Sequence, residues 1–245
     1  MSNDDLKTDQ PLILAIETAT RAGGVAIARG EKVLATLSGD PAVSHSTNLI
    51  EMIQQALKEI EARLTDIDLF AVAVGPGSFT GLRIGLATIK AFAVHLDRKV
   101  VGVSTLAAVA HASRAIGGIV SLLPAGRGEV FAQRFSRNDG ELSAIDEAQH
   151  LAPTAVAEKY DGLGSLTFAG EGVRMCETVG AANNVQMSSA DSAPLAASVA
   201  VLSFRAYREG KAVAPDDLHA VYVRASDAEI NERWQQQKQQ QLAQK

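Results

Sequence analysis

Residues 75–83 have the sequence Gly-Pro-Gly-Ser-Phe-Thr-Gly-Leu-Arg, and the segments on either side of this run decide the expected fold. The apolar residues 70–74 before it predict a buried strand, and residues 84–96 after it predict a largely apolar helix. Glycines let the backbone approach another surface closely, and a helix N-terminus offers free N–H groups. The run therefore predicts either a phosphate-binding turn or a tight strand-to-helix connection with Arg83 on the surface.

The same run does not match the common nucleotide-binding and hydrolase patterns. The spacing Gly75-x-Gly77-x-x-x-Gly81 is one residue too long for the dinucleotide fingerprint, and no Gly-Lys-Ser/Thr completes a P-loop. Ser78 is not in a Gly-x-Ser-x-Gly elbow, because Thr80 stands where the last glycine should be. Phosphate binding and a purely structural turn both stay open, whereas a nucleophilic serine is unsupported.

Outward from this run, the first half of the chain alternates strand and helix patterns. Apolar runs at 12–16, 25–28 and 33–37 are separated by glycine turns and predict an antiparallel meander. Residues 49–64 carry apolar side chains at helical spacing, and residues 99–103 predict a further strand. The order β-β-β-α-β-α-β is typical of a mixed sheet flanked by helices.

The second half repeats this alternation more loosely. Strands are predicted at 119–123 and 129–135, and Asn-Asp-Gly at 138–140 is a strong hairpin signal. Helices are predicted at 153–160 and 194–207.

Composition excludes several classes of protein. The 245 residues are 47% hydrophobic, enough to build a core, and the formal net charge of −5 disfavours a basic nucleic-acid module. Cys176 is the single cysteine, so an intrachain disulfide is impossible. The polar N-terminal residues do not resemble a signal peptide, and the apolar runs are shorter than a membrane span, so we expect a cytoplasmic protein without a membrane segment.

Two polar clusters are candidate sites. Glu17-Thr18-Ala19-Thr20 follows the first strand, where a carboxylate and hydroxyls could hold a metal-bound phosphate or cap the strand. His45 lies in a cluster of helix-capping residues and is either a base or a partly exposed side chain at the helix start. The sequence lacks locally paired histidines at ligand spacing, so we expect no metal site.

Five segments together resemble the TsaB (YeaZ) family. They are residues 14–20, His45-Ser46, residues 75–85, residues 102–106 and residues 221–224. Within the last segment, residues 221–223 are predicted to be a short extended piece. The resemblance covers nearly all of residues 12–225, and the glycine-rich run is its most specific part.

The resemblance implies an α/β fold of the two-lobed actin/hexokinase/Hsp70 ATPase-like type, with mixed sheets flanked by helices. Residues 12–108 would form the first lobe and 109–190 the second, and residues 191–225 would return to the first lobe. Residues 1–11 would be an N-terminal tail and 226–245 a polar, Gln-rich tail.

The resemblance also implies an accessory role. Members of the family pair with a catalytic TsaD (Kae1-type) subunit, joined by a TsaE-type ATPase, to form N6-threonylcarbamoyladenosine at tRNA position 37. The chain would be a non-catalytic scaffold, a homodimer when alone, and would meet tRNA only through the complex. No cofactor is expected, except ATP or ADP at the junction of the complex. The alternatives are a nucleotide-binding phosphotransferase and an M22-type peptidase relative.

Two segments differ from what relatives carry. The catalytic relative has Asn-His-x-x-Gly-His where this chain has residues 104–109, so Thr105 and Val109 replace the metal-binding histidines. The family usually has Asp-Ala-Arg before the Gly-Glu-Val strand, whereas Pro124 and Gly126 stand at the Asp and Arg positions here, with Arg127 as a substitute.

These arguments select two groups of residues. The candidate phosphate, nucleotide or interface loop comprises Glu17, Thr18, Gly75, Gly77, Ser78, Thr80, Gly81 and Arg83. The apolar excess of helices 49–64 and 84–96 fits either the core or a partner surface, and the candidate interface comprises Leu49, Ile53, Leu57, Leu82, Leu86 and Ile89.

Overall fold

The computed structural model describes residues 10–40, 42, 45–176, 186–187 and 194–223. The predicted tail 226–245, most of the N-terminal tail and the His45 side chain lie outside this description.

The first sheet has five strands in the order β3-β2-β1-β4-β5. The predicted meander is confirmed, because β2 pairs antiparallel with both β1 and β3, whereas β4 pairs parallel with β1 and β5. Strands β1 and β4 are fully buried because helices cover both faces of the sheet. The strands are β1 Leu12–Glu17, β2 Gly24–Arg29, β3 Lys32–Ser38, β4 Leu69–Gly75 and β5 Lys99–Ser104.

Helices α1 (His45–Glu59) and α2 (Phe79–Leu96) cover one face of this sheet. Helix α1 ends before the predicted Leu64, since Glu61 has a φ of 54° and Leu64–Asp66 forms a separate 3-10 turn. Helix α2 begins five residues before the predicted Ile84, because Ser78 supplies its N-cap. By length and hydropathy α2 is the single described helix able to span a membrane, but its apolar face packs on the first sheet.

The second sheet has the order β11-β10-β6-β7-β8, with β9 paired to β7. The predicted hairpin at residues 138–140 is confirmed as the turn between β7 and β8. Helix α4 (Pro153–Tyr160) and a 3-10 turn at Glu171–Cys176 cover one face of this sheet. The strands are β6 Gly117–Gly126, β7 Glu129–Asn138, β8 Glu141–Ala144, β9 Gln149–Leu151, β10 Leu166–Ala169 and β11 Gln186–Met187.

Helices α3 (Thr105–Ala112) and α5 (Leu195–Arg208) form the layer between the two sheets. Helix α5 packs on the first sheet, and α3 contributes Ala108 to that core and Val109 to the core of the second sheet. The layers therefore alternate helix, sheet, helix, sheet, helix, and the predicted mixed α/β fold class is confirmed.

The six predicted interface residues are buried in the hydrophobic core around the first sheet. None is more than 8% exposed, since they belong to the faces of α1 and α2 that contact the first sheet and its loops. Side chains with so little accessible surface cannot form the centre of an interface with a partner unless the core opens. The structure thus corrects the prediction for Leu49, Ile53, Leu57, Leu82, Leu86 and Ile89, which are core residues.

Residues 221–223, predicted to be a short extended piece, belong to no strand of either sheet. They follow a 3-10 turn at Pro215–Asp217 and lie beside the end of β4, where the Val221 amide donates to the Val74 carbonyl at 2.7 Å. This single backbone bond fastens the segment to the first sheet without making it a strand.

Candidate functional site

The glycine-rich run and the Glu17–Thr20 turn, which the sequence placed in one candidate loop, are in contact in the structure. The Ser78 amide donates to the Ala19 carbonyl at 2.8 Å. The buried Thr18 hydroxyl donates to the Gly81 carbonyl at 2.8 Å. The end of β1 is therefore fastened to the first turn of α2 by one bond from each side.

Three glycines allow this close approach. A Cβ on Gly81 would collide with the backbone carbonyl of Thr18, and one on Gly85 would collide with the Thr18 hydroxyl. A Cβ on Gly77 would come within 2.5 Å of the Ala19 carbonyl oxygen. The atoms that require glycine here belong to the chain itself, so the structural explanation of the run accounts for these positions without a ligand.

The Glu17 carboxylate caps its own turn. Its Oε1 accepts hydrogen bonds from the amides of Ala19 at 2.5 Å and Thr20 at 2.8 Å, and its Oε2 accepts from the Thr20 hydroxyl at 2.5 Å. Glu17 is 1% exposed, so these bonds compensate for its desolvation. The geometry favours the capping alternative over a metal-bound phosphate.

Ser78 and Gly75 fix the two ends of the loop. The Ser78 hydroxyl accepts from the Gly81 amide at 3.2 Å and caps α2. Gly75 has a φ of 115°, which only glycine adopts readily, and a Cβ there would come within 2.5 Å of the Val221 carbonyl oxygen. The C-terminal segment thus closes over the start of the loop.

The outer rim of the loop is a stack of three side chains, in which exposed Tyr222 and Arg83 lie against half-buried Phe79. The Phe79 and Tyr222 rings lie 5.3 Å apart between centroids, and the Arg83 guanidinium carbon lies 3.8 Å from the Phe79 ring centroid. Such stacking holds a guanidinium in place while leaving its donors accessible. Arg83 and Thr80 are exposed, as expected for groups that contact an anion or a partner.

Tyr222 was not among the predicted site residues. It belongs to the stack because the C-terminal segment returns to the end of β4, a contact between positions far apart in sequence. The only feature of the sequence that pointed to Tyr222 is its place in the short apolar segment 221–223.

Helices α1 and α2 also present apolar side chains to solvent. Ile50 on α1 is 47% exposed and Val94 on α2 is 63% exposed. Ala87 and Ala91 are exposed on α2 and share a face with Val94, since they lie three to seven residues apart. These four residues, here called the outer face, replace the buried set as the accessible apolar surface of the helices.

The segment that replaces the catalytic relative's histidines is packed as core. The Ser104 hydroxyl accepts from the Ala107 amide at 3.3 Å and caps α3. Thr105 is fully buried, and Val109 is 3% exposed within the core of the second sheet. These positions fill space between the sheets.

The departure at Pro124 and Gly126 falls in the β6–β7 hairpin. Arg127 has a φ of 54° and forms the turn. Beside it, His150 Nε2 lies 2.8 Å from the Glu129 carboxylate, a pair that the sequence gave no reason to expect. Glu129 lies in β7 and His150 in β9, and the antiparallel pairing of these two strands brings their side chains together.

A family model and the curated relatives point to the same group of tRNA-modification proteins. Residues 40–236 match the family model described as TsaD, tRNA N6-adenosine threonylcarbamoyltransferase. The chain is 30% identical over 218 residues to the tRNA threonylcarbamoyladenosine biosynthesis protein TsaB of Escherichia coli K12, covering 86% of this chain and 94% of that protein. The Bacillus subtilis 168 protein of the same name is 31% identical over 140 residues, or 57% of this chain and 61% of its own length.

Solved structures agree with these relatives. The structure of YeaZ from Pseudomonas aeruginosa matches with a TM-score of 0.75 at 25% identity, covering 86% of this chain and 99% of that one. Another Pseudomonas aeruginosa structure, described as an uncharacterized protein with similarity to peptidase YEAZ, matches with a TM-score of 0.77 at 25% identity and covers 87% of this chain and 100% of that one.

Proposed function

The chain belongs to the TsaB family, and on that premise we propose that it takes part in tRNA threonylcarbamoyladenosine biosynthesis as a non-catalytic subunit. Its partner would be a TsaD-type catalytic subunit, with a TsaE-type ATPase joining the pair in the cytoplasm. The observation that carries this proposal is the near full-length match to a relative named for that pathway.

The packing of α3 supports the non-catalytic part of the proposal. Transfer chemistry of the kind the resemblance implies requires metal ligands at the start of this helix. Thr105 and Val109 instead bury their side chains between the two sheets. Valine has no donor atom, and a metal site would have to displace core packing to form there.

The outer face supports pairing through α1 and α2. Alanines at 87 and 91 let another helix approach closely, and Ile50 and Val94 provide apolar area to bury on contact. We propose that this face contacts the catalytic subunit and that the isolated chain forms a homodimer through it.

The pairing test is size-exclusion chromatography with light scattering of this chain mixed with the TsaD-type subunit of the same source. A stable 1:1 complex is expected. Val94→Glu combined with Ile50→Glu should lower the affinity at least about a hundredfold, because two charges would be buried without partners. An unchanged complex would place the interface elsewhere, and the absence of any complex would contradict the scaffold proposal.

Ile116→Glu is the matched control. Ile116 is 85% exposed and precedes β6 of the second sheet, so it introduces the same charge on an exposed aliphatic position away from the outer face. The control should pair as the unmodified chain does. Light scattering of each variant alone reports whether the homodimer uses the same face.

We further propose that nucleotide and tRNA contact this chain only within the complex. The loop glycines face their own backbone, and the chain carries a net charge of −5, which disfavours an extended phosphate-binding surface. Arg83, Ser78 and Thr80 are the exposed groups of the loop that could meet ATP or ADP at the junction. Nucleotide titration of the isolated chain should give no saturable binding, whereas the assembled complex should bind.

A further inference from the structure

A cluster of arginines crosses the junction between the two sheets. Arg205 of α5 donates from Nε to Glu31 at 2.9 Å, and Glu31 lies in the β2–β3 turn of the first sheet. The same guanidinium donates from Nη1 to the Gly140 carbonyl at 3.2 Å, in the β7–β8 turn of the second sheet. One side chain thus joins the tips of two hairpins from different sheets.

A second arginine crosses the junction in the opposite direction. Arg137 of β7 donates from Nη2 to the carbonyls of Ala110 at 2.9 Å and His111 at 3.0 Å. These carbonyls lie in the last turn of α3, where a cation is favoured, and they also accept from the Ser113 hydroxyl and the Arg114 amide, respectively. In the middle layer, His111 Nδ1 lies 2.9 Å from the Ser198 hydroxyl and joins α3 to α5.

The charges at this junction oppose one another. Burial, followed by the positive charge of Arg205, lowers the pKa of Arg137. Arg114, exposed after α3, adds a third positive charge, and Glu31 is the carboxylate that offsets them around His111. The bonds to the two hairpin tips both come from the one Arg205 side chain, so replacing that side chain removes both of them.

We propose that Arg205 is a latch that holds the two sheets at one fixed angle, with Glu31 as the residue that positions its guanidinium and Arg137 as a second brace. With the latch closed, the β2–β3 and β7–β8 hairpins stay together. Without it, the sheets move apart at this edge and pivot on the packing of α3. The latch sets the relative position of the outer face on the first sheet and any surface of the second sheet that a partner contacts together with it.

Distance measurement between spin labels tests the latch in the full chain. Lys32→Cys and Glu141→Cys place labels on exposed positions beside the two hairpin tips. Cys176 can stay, because burial raises the pKa of its thiol to about 11 and slows its labelling. The parent should give one narrow distribution, and Arg205→Met, which keeps the aliphatic stem, should give one that is roughly twice as broad and longer.

Three further variants make the test decisive. Arg208→Met, an exposed arginine at the end of the same helix, should keep the narrow distribution. Glu31→Gln should broaden it partly, and it carries the test if Arg205→Met does not fold by circular dichroism. The exchange Glu31→Arg with Arg205→Glu restores an ion pair but no donor to Gly140, so it should stay broad. A narrow distribution in folded Arg205→Met, or in the exchange variant, would overturn the latch.

Discussion

The glycine-rich loop and the arginine junction both close one part of the chain onto another, but with different chemistry. The loop is closed by hydrogen bonds between neutral groups, such as that from the buried Thr18 hydroxyl to the Gly81 carbonyl, at glycines that leave no room for a Cβ. The junction is closed by charged side chains, partly exposed, whose donors reach backbone carbonyls of other elements. A contact without free volume fails when one atom is added, whereas a contact made by long side chains fails when a charge or a donor changes.

The largest effect should follow from adding a single carbon to the loop. Gly81→Ala in an ordinary helix interior would stabilise by about 1 kcal/mol. Here the new Cβ collides with the Thr18 backbone carbonyl, so we expect a loss of about 3 kcal/mol in the free energy of unfolding, measured by urea denaturation.

Thr80→Ala is the control for that substitution. Thr80 is exposed in the same turn of α2, so the free energy of unfolding should change by about 0.5 kcal/mol or less. A stabilising effect of Gly81→Ala would show that β1 and α2 can separate at this point, and would remove the steric explanation of the run.

An intermediate effect should appear at the junction when the pH is lowered. Burial, followed by Arg137 and Arg205, lowers the pKa of His111 from 6.5 to about 4, while Glu31 opposes this and Arg114 adds to it. Between pH 6.5 and pH 4 the unfolded chain binds a proton at His111, whereas the folded protein keeps this side chain neutral. The contribution of neutral His111 to the free energy of unfolding is therefore complete above pH 6.5 and is lost as the pH falls toward 4. Between pH 7 and pH 5 the loss should be roughly 1–2 kcal/mol after solvent screening.

His111→Asn isolates this contribution. Asparagine does not titrate, so the variant should lose less stability than the parent between pH 7 and pH 5 in urea denaturation. The same pH dependence in both proteins would show that His111 does not contribute to it.

The smallest effect should come from the rim of the loop. Tyr222→Ala removes the ring that packs on Phe79 and should cost about 1 kcal/mol of unfolding free energy, since the stack is exposed on one side. Tyr222→Phe keeps the ring and should match the parent in the same urea experiment. An equal loss in both variants would assign the effect to the hydroxyl instead of the stacking.

Most of the fold could be predicted because its signals are local. The meander, the β7–β8 hairpin and helix α4 follow from strand runs, glycine turns and a proline at a helix start, and all three are observed. The helix ends were less predictable. Helix α2 starts at Phe79 because Ser78 caps it, and a serine beside two glycines does not by itself identify which residue is the cap.

The candidate site was predictable in its members but not in its contacts. The sequence grouped Glu17 and Thr18 with the glycine-rich run, and the structure joins Thr18 to Gly81 of that run. It could not show that the Glu17 carboxylate is bound by its own turn, or which face of α2 is accessible. Apolar periodicity identifies the buried face of a helix only when the opposite face is polar. Helix α2 is apolar nearly all round, so its sequence does not show that Ala87 and Val94 are exposed.

The sequence by itself determined the element order, the glycine positions and the family, because these depend on backbone preferences and motif spacing within a few residues. Only the tertiary structure decided that Leu86 and Ile89 are core, that Tyr222 stacks on Phe79, and that Arg205 reaches both hairpins. Glu31 and Arg205 are 174 positions apart. No local preference encodes such a pair, because two side chains meet only after both sheets and the helices between them have packed.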